Sequence, residues 1–178
     1  MKKLVIMEKN EITKTITSLA KMVLEKNKNV SELAIIGIKE RGDVLAKRLV
    51  KKIKSLTDVN LPLGILDITF YRDDLGLNPQ KLLVHKTDIN FDVTGKIIIL
   101  VDDVLFTGRS ARAALDAIID FGRPKQIQLL VLVDRGLREF PIHADFVGKT
   151  IETTLEDKVS VKFKDSDEEE EVVLIKKV

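Results

Sequence analysis

Two adjacent carboxylates, Asp102 and Asp103, follow the apolar run 97–101 and are separated by three residues from Thr107-Gly108-Arg109-Ser110. A β-branched apolar run of this kind reads as a strand buried on both faces, as in parallel sheets covered by helices. The acids then sit at the carboxyl end of that strand, where open α/β sheets bind ligands. Neighbouring carboxylates there can accept hydrogen bonds from a sugar diol. Gly108 can take a positive φ, Thr107 and Ser110 carry hydroxyls, and the amides opening a helix predicted over 109–121 point outward, together a nest for a dianionic phosphate. The spacing therefore predicts a site for a ribose phosphate. A strand whose acids only cap a helix accounts for it poorly, because two buried carboxylates without partners are unfavourable. A phospho-accepting acid pocket is a second alternative. It requires a further acid at another strand end and a late lysine, and it leaves Thr107 to Ser110 without a role.

Composition narrows the chemistry. The chain has 178 residues, 44% hydrophobic and 33% charged, enough for one core of ordinary globular type, and a single domain over 1–178 is expected. The segment 1–7 is too short for a signal-peptide core and no apolar run reaches spanning length, which predicts a cytoplasmic protein without membrane partners. With no cysteine, disulfides, thiol nucleophiles and thiolate metal sites are excluded. The two histidines, His85 and His143, are isolated and read as structural. No protein-borne metal site is expected, so a metal would arrive with substrate. A net charge of +2 is no nucleic-acid signature by itself.

The elements that must position the acids alternate. Ile12, Ile16, Leu19, Ala20, Val23 and Leu24 recur at helical spacing within 11–27. Residues 33–38 read as a strand, and Lys39-Glu40-Arg41-Gly42 turns into a helix with Val44, Leu45, Leu49 and Ile53 inward. A third strand is predicted over 63–71, placing Asp67 mid-strand, followed by a long loop over 72–84. Gly122-Arg123-Pro124 stops the helix after the acids, and 127–133 forms the next strand. Such alternation implies right-handed crossovers and a mainly parallel sheet flanked by helices. In the tail, 158–164 and 172–176 pair as an antiparallel hairpin. The acidic run 165–171 between them reads as a solvated tip without function.

With these residues in hand, the chain resembles type I phosphoribosyltransferases and, within them, the PyrR family of pyrimidine operon attenuators with uracil phosphoribosyltransferase activity. The resemblance rests on Ile36-Gly37-Ile38-Lys39-Glu40-Arg41-Gly42, on Asp67-Ile68-Thr69-Phe70-Tyr71-Arg72-Asp73-Asp74-Leu75, on Asp102 to Ser110, and on Val133-Asp134-Arg135-Gly136. The central motif alone specifies the superfamily; the strings at 71–75 and 134–136 point to this family. The resemblance implies the type I phosphoribosyltransferase fold with a small hood. It implies phosphoribosyl pyrophosphate carried with Mg²⁺, and displacement of its pyrophosphate by uracil to give UMP. In those terms Asp102 and Asp103 hold the ribose hydroxyls and favour positive charge developing on the sugar. Thr107, Gly108, Arg109 and Ser110 hold the 5′-phosphate, while Val104, Leu105 and Phe106 line the substrate between acids and phosphate. Lys39, Glu40 and Arg41 lie at the leaving pyrophosphate, with Arg41 the contact, and Arg72 opens a loop that closes over the sugar; an exposed cation at a helix start and a plain surface loop are the respective alternatives. The Val133 main chain, Asp134, Arg135 and Arg138 read uracil, although for each side chain an ordinary turn with a salt bridge is the alternative.

The resemblance also implies a homodimer or higher homo-oligomer that binds a hairpin in pyrimidine-operon leader RNA, with UMP or UTP raising affinity. Phosphate neutralisation needs a basic surface, for which Lys14, Lys21, Arg138 and Lys149 are the candidates. Two departures stand out. Leu137 occupies a place where family regulators carry a histidine, and Glu40 one often filled by a neutral residue; the first helix is also arginine-poor. Three readings follow: a uracil phosphoribosyltransferase that also regulates, an RNA-binding attenuator whose pocket is mainly a nucleotide sensor, and a dinucleotide-dependent oxidoreductase. The last is disfavoured because no G-x-G-x-x-G follows any predicted strand.

Overall fold

Residues 1–73 and 86–177 are described in a computed structural model. The chain opens with a strand, Lys2–Glu8 (β1), that leads directly into the amphipathic helix Lys9–Lys26 (α1). Leu33–Ile38 (β2), Leu63–Leu66 (β3), Ile97–Leu105 (β4), Gln126–Asp134 (β5) and Phe146–Thr150 (β6) build a parallel sheet in the order β3-β2-β4-β5-β6. Helix Gly42–Thr57 (α2) connects β2 to β3, and Arg109–Ile119 (α3) connects β4 to β5. Lys158–Lys162 (β7) and Glu171–Lys176 (β8) join β1 in an antiparallel sheet ordered β1-β8-β7, the hood expected from the resemblance.

Alternation along β4 decides which layer each residue serves. Ile98 and Leu100 join Ala113, Ala114, Ala117 and Ile118 of α3 in one core. Ile99 and Val101 join Ile12, Leu19 and Val23 of α1, Leu45, Leu49 and Ile53 of α2, and Val161, Phe163 and Val172 of the hood in the other. Every residue of β2 is buried, which is why its sequence is continuously apolar rather than alternating. Each fully buried Leu or Ile stabilises the fold by roughly 1.5–3 kcal/mol. A buried amide pair closes α1: Asn27 donates to Val23 O and to Gln128 Oε1, each at 2.9 Å, and Gln128 donates back at 2.9 Å.

Several boundaries differ from those the sequence predicts. The third strand stops at Leu66 rather than residue 71; Asp67 lies beyond it and accepts hydrogen bonds from Thr69 N at 2.7 Å and Thr69 Oγ1 at 2.5 Å, starting the short 3₁₀ turn Thr69–Tyr71. Helix α3 ends two residues early, and Gly122 follows with φ 142°. Strands β1 and β6 have no counterpart in the sequence reading. Nor is the acidic run a free tip, since several of its carboxylates bond to Arg41, to Arg48 of α2 and to Lys162 of the hood. His143 is exposed. His85 and the remainder of the predicted loop from Asp74 to Val84 lie outside the described residues.

Candidate functional site

The carboxyl ends of β2 and β4 are brought together by a close backbone approach. A Cβ on Gly42 would sit 2.6 Å from Val101 O and 3.1 Å from Asp102 Cα, so only glycine lets the first turn of α2 rest on the strand that bears the acids. The preceding residue, Arg41, has φ 71°, and the Lys39–Glu40 peptide is cis. Lys39 is anchored by its amide, which donates to Leu66 O at 2.9 Å.

Asp102 and Asp103 are half-buried, each with a face open to solvent. The Asp103 amide donates to Asp102 Oδ1, and the Val104 amide to Asp103 Oδ1, both at 2.9 Å. Two bonds do not satisfy two carboxylates. Burial raises the Asp102 pKa well above the ordinary range, and the Asp103 charge adds to it; the Arg72 charge opposes the rise. Burial also raises Asp103, against its hydrogen bonds and the Arg41 charge. Each acid thus faces one cation from a different loop. Among the described residues neither is ion-paired.

Asp102 borders a cleft of about 410 Å³ lined also by Arg72, Glu139 and every residue from Val104 to Ala111. Gly108 has φ 89° and ψ −1° and precedes the first residue of α3, so the helix-opening amides face this cleft. A turn contributed by residues 138–142 holds the loop in shape: the Glu139 and Phe140 amides donate to Thr107 O at 2.9 and 3.0 Å. Arg109 is already engaged, with Glu139 at 2.6 Å and Asp73 at 2.5 Å, its guanidinium 5.1 Å from the Phe140 ring centre.

The loop after β5 is built from arginines turned inward. Arg135 is buried, lies 4.0 Å from the Phe106 ring centre and donates to Thr153 Oγ1 and Thr154 O; burial lowers its pKa. Arg138 donates to Phe106 O at 2.8 Å, Gly136 O at 3.1 Å, Ile142 O at 2.9 Å and Asp134 at 2.5 Å. Its guanidinium thereby fastens the β5 loop to the β4 loop. Val133 is buried in β5, beside Val104 of β4 and Lys149 of β6. Leu137 is partly exposed with φ 60°.

The structure thus gathers Arg72, Asp102 and residues 104–110 in one cleft, with Asp103 and Lys39, Glu40 and Arg41 alongside. It places the side chains of Arg135 and Arg138 in the supporting frame. Glu139 and Asp167 were missed by sequence reading: Glu139 carries no local signal, and Asp167 is hidden in the acidic run. Lys14 and Lys21 are exposed on α1, whereas Lys149 donates to Ile6 O at 2.9 Å and pairs with Glu11 at 2.8 Å. Among the described residues no cluster of histidine and carboxylate side chains could hold a metal by itself, and no helix is long and apolar enough to cross a membrane.

Comparison with known proteins agrees with this geometry. Residues 6–167 match the family model described as phosphoribosyl transferase domain. The chain is 49% identical over 170 residues to "Bifunctional protein PyrR" of Pelotomaculum thermopropionicum, covering 96% of this chain and 94% of that one. It is 48% identical over 179 residues to the protein of the same name from Listeria monocytogenes, covering 99% and 98%. Among solved structures, a hypoxanthine phosphoribosyltransferase from Trypanosoma cruzi superposes with a TM-score of 0.75 at 20% identity over 97% of this chain and 94% of the other, a likeness of fold alone.

Proposed function

The chain belongs to the phosphoribosyl transferase domain family and, within it, to the proteins named bifunctional protein PyrR, and from that premise we propose that it transfers the phosphoribosyl group of phosphoribosyl pyrophosphate to uracil and also regulates pyrimidine genes by binding their leader RNA. The observation that carries the first activity is the Asp102–Asp103 pair: carboxylates with raised pKa values and, among the described residues, no ion-pair partner, opening beside a glycine-bearing loop at a helix start. Ribose hydroxyls supply the hydrogen-bond donors these acids lack. The acids' charge then favours positive charge at the anomeric carbon as its bond to pyrophosphate breaks. The amides of residues 108–110 and the Thr107 and Ser110 hydroxyls hold the 5′-phosphate, and Arg41 meets the leaving group.

In this reading uracil lies against the Val133 main chain. Arg135, Arg138 and Asp134 hold the loop that forms its wall rather than reading the base directly. Arg72 brings the segment after β3 over the sugar and offsets the charge of Asp102. Mg²⁺ fits the donor chemistry only as a companion of the diphosphate, with Asp102 and Asp103 as the nearby protein oxygens, and it would neutralise charge on the leaving group. RNA would lie along α1, on Lys14 and Lys21, with Lys149 available if its pair with Glu11 opens. We place the protein in the cytoplasm as a homodimer of single-domain chains, in keeping with its nucleotide-level substrates.

Release of pyrophosphate from phosphoribosyl pyrophosphate and Mg²⁺ tests the enzyme reading, comparing uracil, orotate, adenine, hypoxanthine and no base. We expect turnover with uracil only. Equal rates with a purine, or none with uracil, would overturn it. Filter binding of leader RNA with and without UMP at two salt concentrations tests the regulatory half. UMP-enhanced, sequence-selective binding is expected; weak, unselective binding at moderate salt would remove it.

A further inference from the structure

The acidic run between β7 and β8 reaches the candidate site at one point. Asp167 Oδ1 accepts from Arg41 Nη2 at 2.9 Å, joining residues that stand 126 positions apart. Its other oxygen is already committed, accepting from Phe163 N and Ser166 Oγ, each at 3.0 Å. Asp167 therefore presents one fixed oxygen to the guanidinium rather than swinging with it.

Arg41 is left with donors in hand. Its Nε is buried and has no acceptor, although Nε and Nη2 share the edge that usually takes a two-oxygen anion. Asp167 takes the Nη2 position of that edge, and the Arg41 side chain as a whole remains one-third exposed. The pair is not needed to fasten the hairpin to α2. Arg48, about two helical turns further along, does that already, bonding Asp165 and Glu170 and lying 4.9 Å from the Phe163 ring centre. Arg41, by contrast, sits in the turn that Gly42 presses against Asp102, and its charge acts on Asp103.

We propose that Asp167 is a positioning residue for Arg41, holding its guanidinium so that the remaining N–H groups receive an oxygen of the diphosphate leaving group. The inference rests on the phosphoribosyl transfer reading and adds to it a residue from the hood. A charged guanidinium held in one orientation loses less freedom on meeting its anion, so the benefit appears in diphosphate affinity.

Calorimetry with inorganic pyrophosphate and Mg²⁺ tests it on the full chain, comparing wild type, Asp167→Asn, Arg41→Ala and the double variant. Asn keeps an acceptor for the Phe163 amide, so the turn is retained. We expect each single variant to bind at least about fivefold more weakly and the double variant to be no weaker than Arg41→Ala, because Asp167 acts through Arg41. In turnover, KM for phosphoribosyl pyrophosphate should rise with KM for uracil unmoved. A purely structural role would instead lower the melting midpoint and leave pyrophosphate affinity intact. Unchanged or tighter binding in Asp167→Asn, or losses that add in the double variant, would overturn the assignment. Should Asp167→Asn fail to fold, Ser166→Ala loosens the same carboxylate and should weaken pyrophosphate two- to threefold, and wild-type affinity there would overturn it equally. If wild type turns over uracil while Asp167→Asn binds pyrophosphate normally, only the role of Asp167 falls. If wild type neither turns over nor binds pyrophosphate, the transferase reading falls with it.

Discussion

The molecule carries two concentrations of carboxylate, and they obey opposite physics. Asp102 and Asp103 lie at the end of a central strand, half-buried, without an ion-pair partner among the described residues, and burial drives their pKa values up. The run 165–171 is richer in acid, yet Asp165 and Glu170 are held by Arg48, Asp167 by Arg41, and Glu171 by Lys3 and Lys162. There the arginine and lysine hydrogen bonds bring Asp165 and Glu171 below the ordinary range; burial pushes Asp167 up, but the Phe163 amide, Ser166 and Arg41 outweigh it. Acidity alone therefore marks nothing. A carboxylate pair that the described fold leaves with one backbone donor each and no cation bound to it can take a ligand, and one that the fold ties to arginine and lysine is a clasp.

The contrast breaks most readily at the site. Asp102→Asn should lower uracil-dependent turnover by about 10²-fold or more, the scale of losing one group that stabilises charge in the transition state, while the melting midpoint at neutral pH stays level or rises. A fall in the midpoint alongside intact turnover would make Asp102 part of a clasp. At the hairpin the next largest effect is expected from Arg48→Ala. That change strands two carboxylates and uncovers the Phe163 ring, and it should destabilise the chain by about 2 kcal/mol in urea unfolding. Glu170→Gln keeps the shape and removes one partner, for which about 1 kcal/mol is expected by the same measurement.

The pH dependence sharpens the comparison through its sign. Asp102 and Asp103 have folded pKa values above their unfolded ones, so the stability they contribute is present below the unfolded value near about pH 4 and is lost as pH rises through the folded value. Asp165, Asp167 and Glu171 have folded values below their unfolded ones. Their contribution is present above about pH 4 and is lost as pH falls through the folded values. Urea unfolding from pH 3 to 8 should show Asp102→Asn gaining on wild type as pH rises, and Asp165→Asn losing to wild type over the same change. Curves that run parallel for both variants would contradict the assignment.

Sequence made the first cluster legible and concealed the second. The run 97–101, the two acids and Gly108 each obey a local rule, and the strand, the helix start and the cleft stand where those rules place them. The acidic run obeys a local rule too, that of a solvated tip. What overrides it is contact with Arg41 and Arg48, more than a hundred residues away in sequence, which no local pattern reports. Strand β6 escaped for a related reason. Of its five residues only Phe146 is buried, and Gly148 is required because Thr15 and Leu132 O occupy the space a Cβ would fill. Strand β1 buries only Met7 and exposes Val5, so its alternation is blunt until β8 pairs with it. Leu66 and Ile68 flank Asp67 and give it the pattern of a mid-strand residue, whereas its side chain ends that geometry by accepting from the Thr69 amide. Arg138 shows the same limit from the other side: its charge suggests a ligand, and its hydrogen bonds to three backbone carbonyls and Asp134 show a brace.

The most direct test makes the same chemical change in both clusters and reads both properties of each protein: uracil-dependent turnover and urea-unfolding stability at pH 7 for Asp103→Asn and Asp165→Asn beside wild type. We expect a crossed result, with Asp103→Asn losing about 10²-fold in turnover at equal or greater stability, and Asp165→Asn keeping wild-type turnover at reduced stability. Wild-type turnover in Asp103→Asn, with stability lost instead, would contradict the assignment of the acid pair to the ribose.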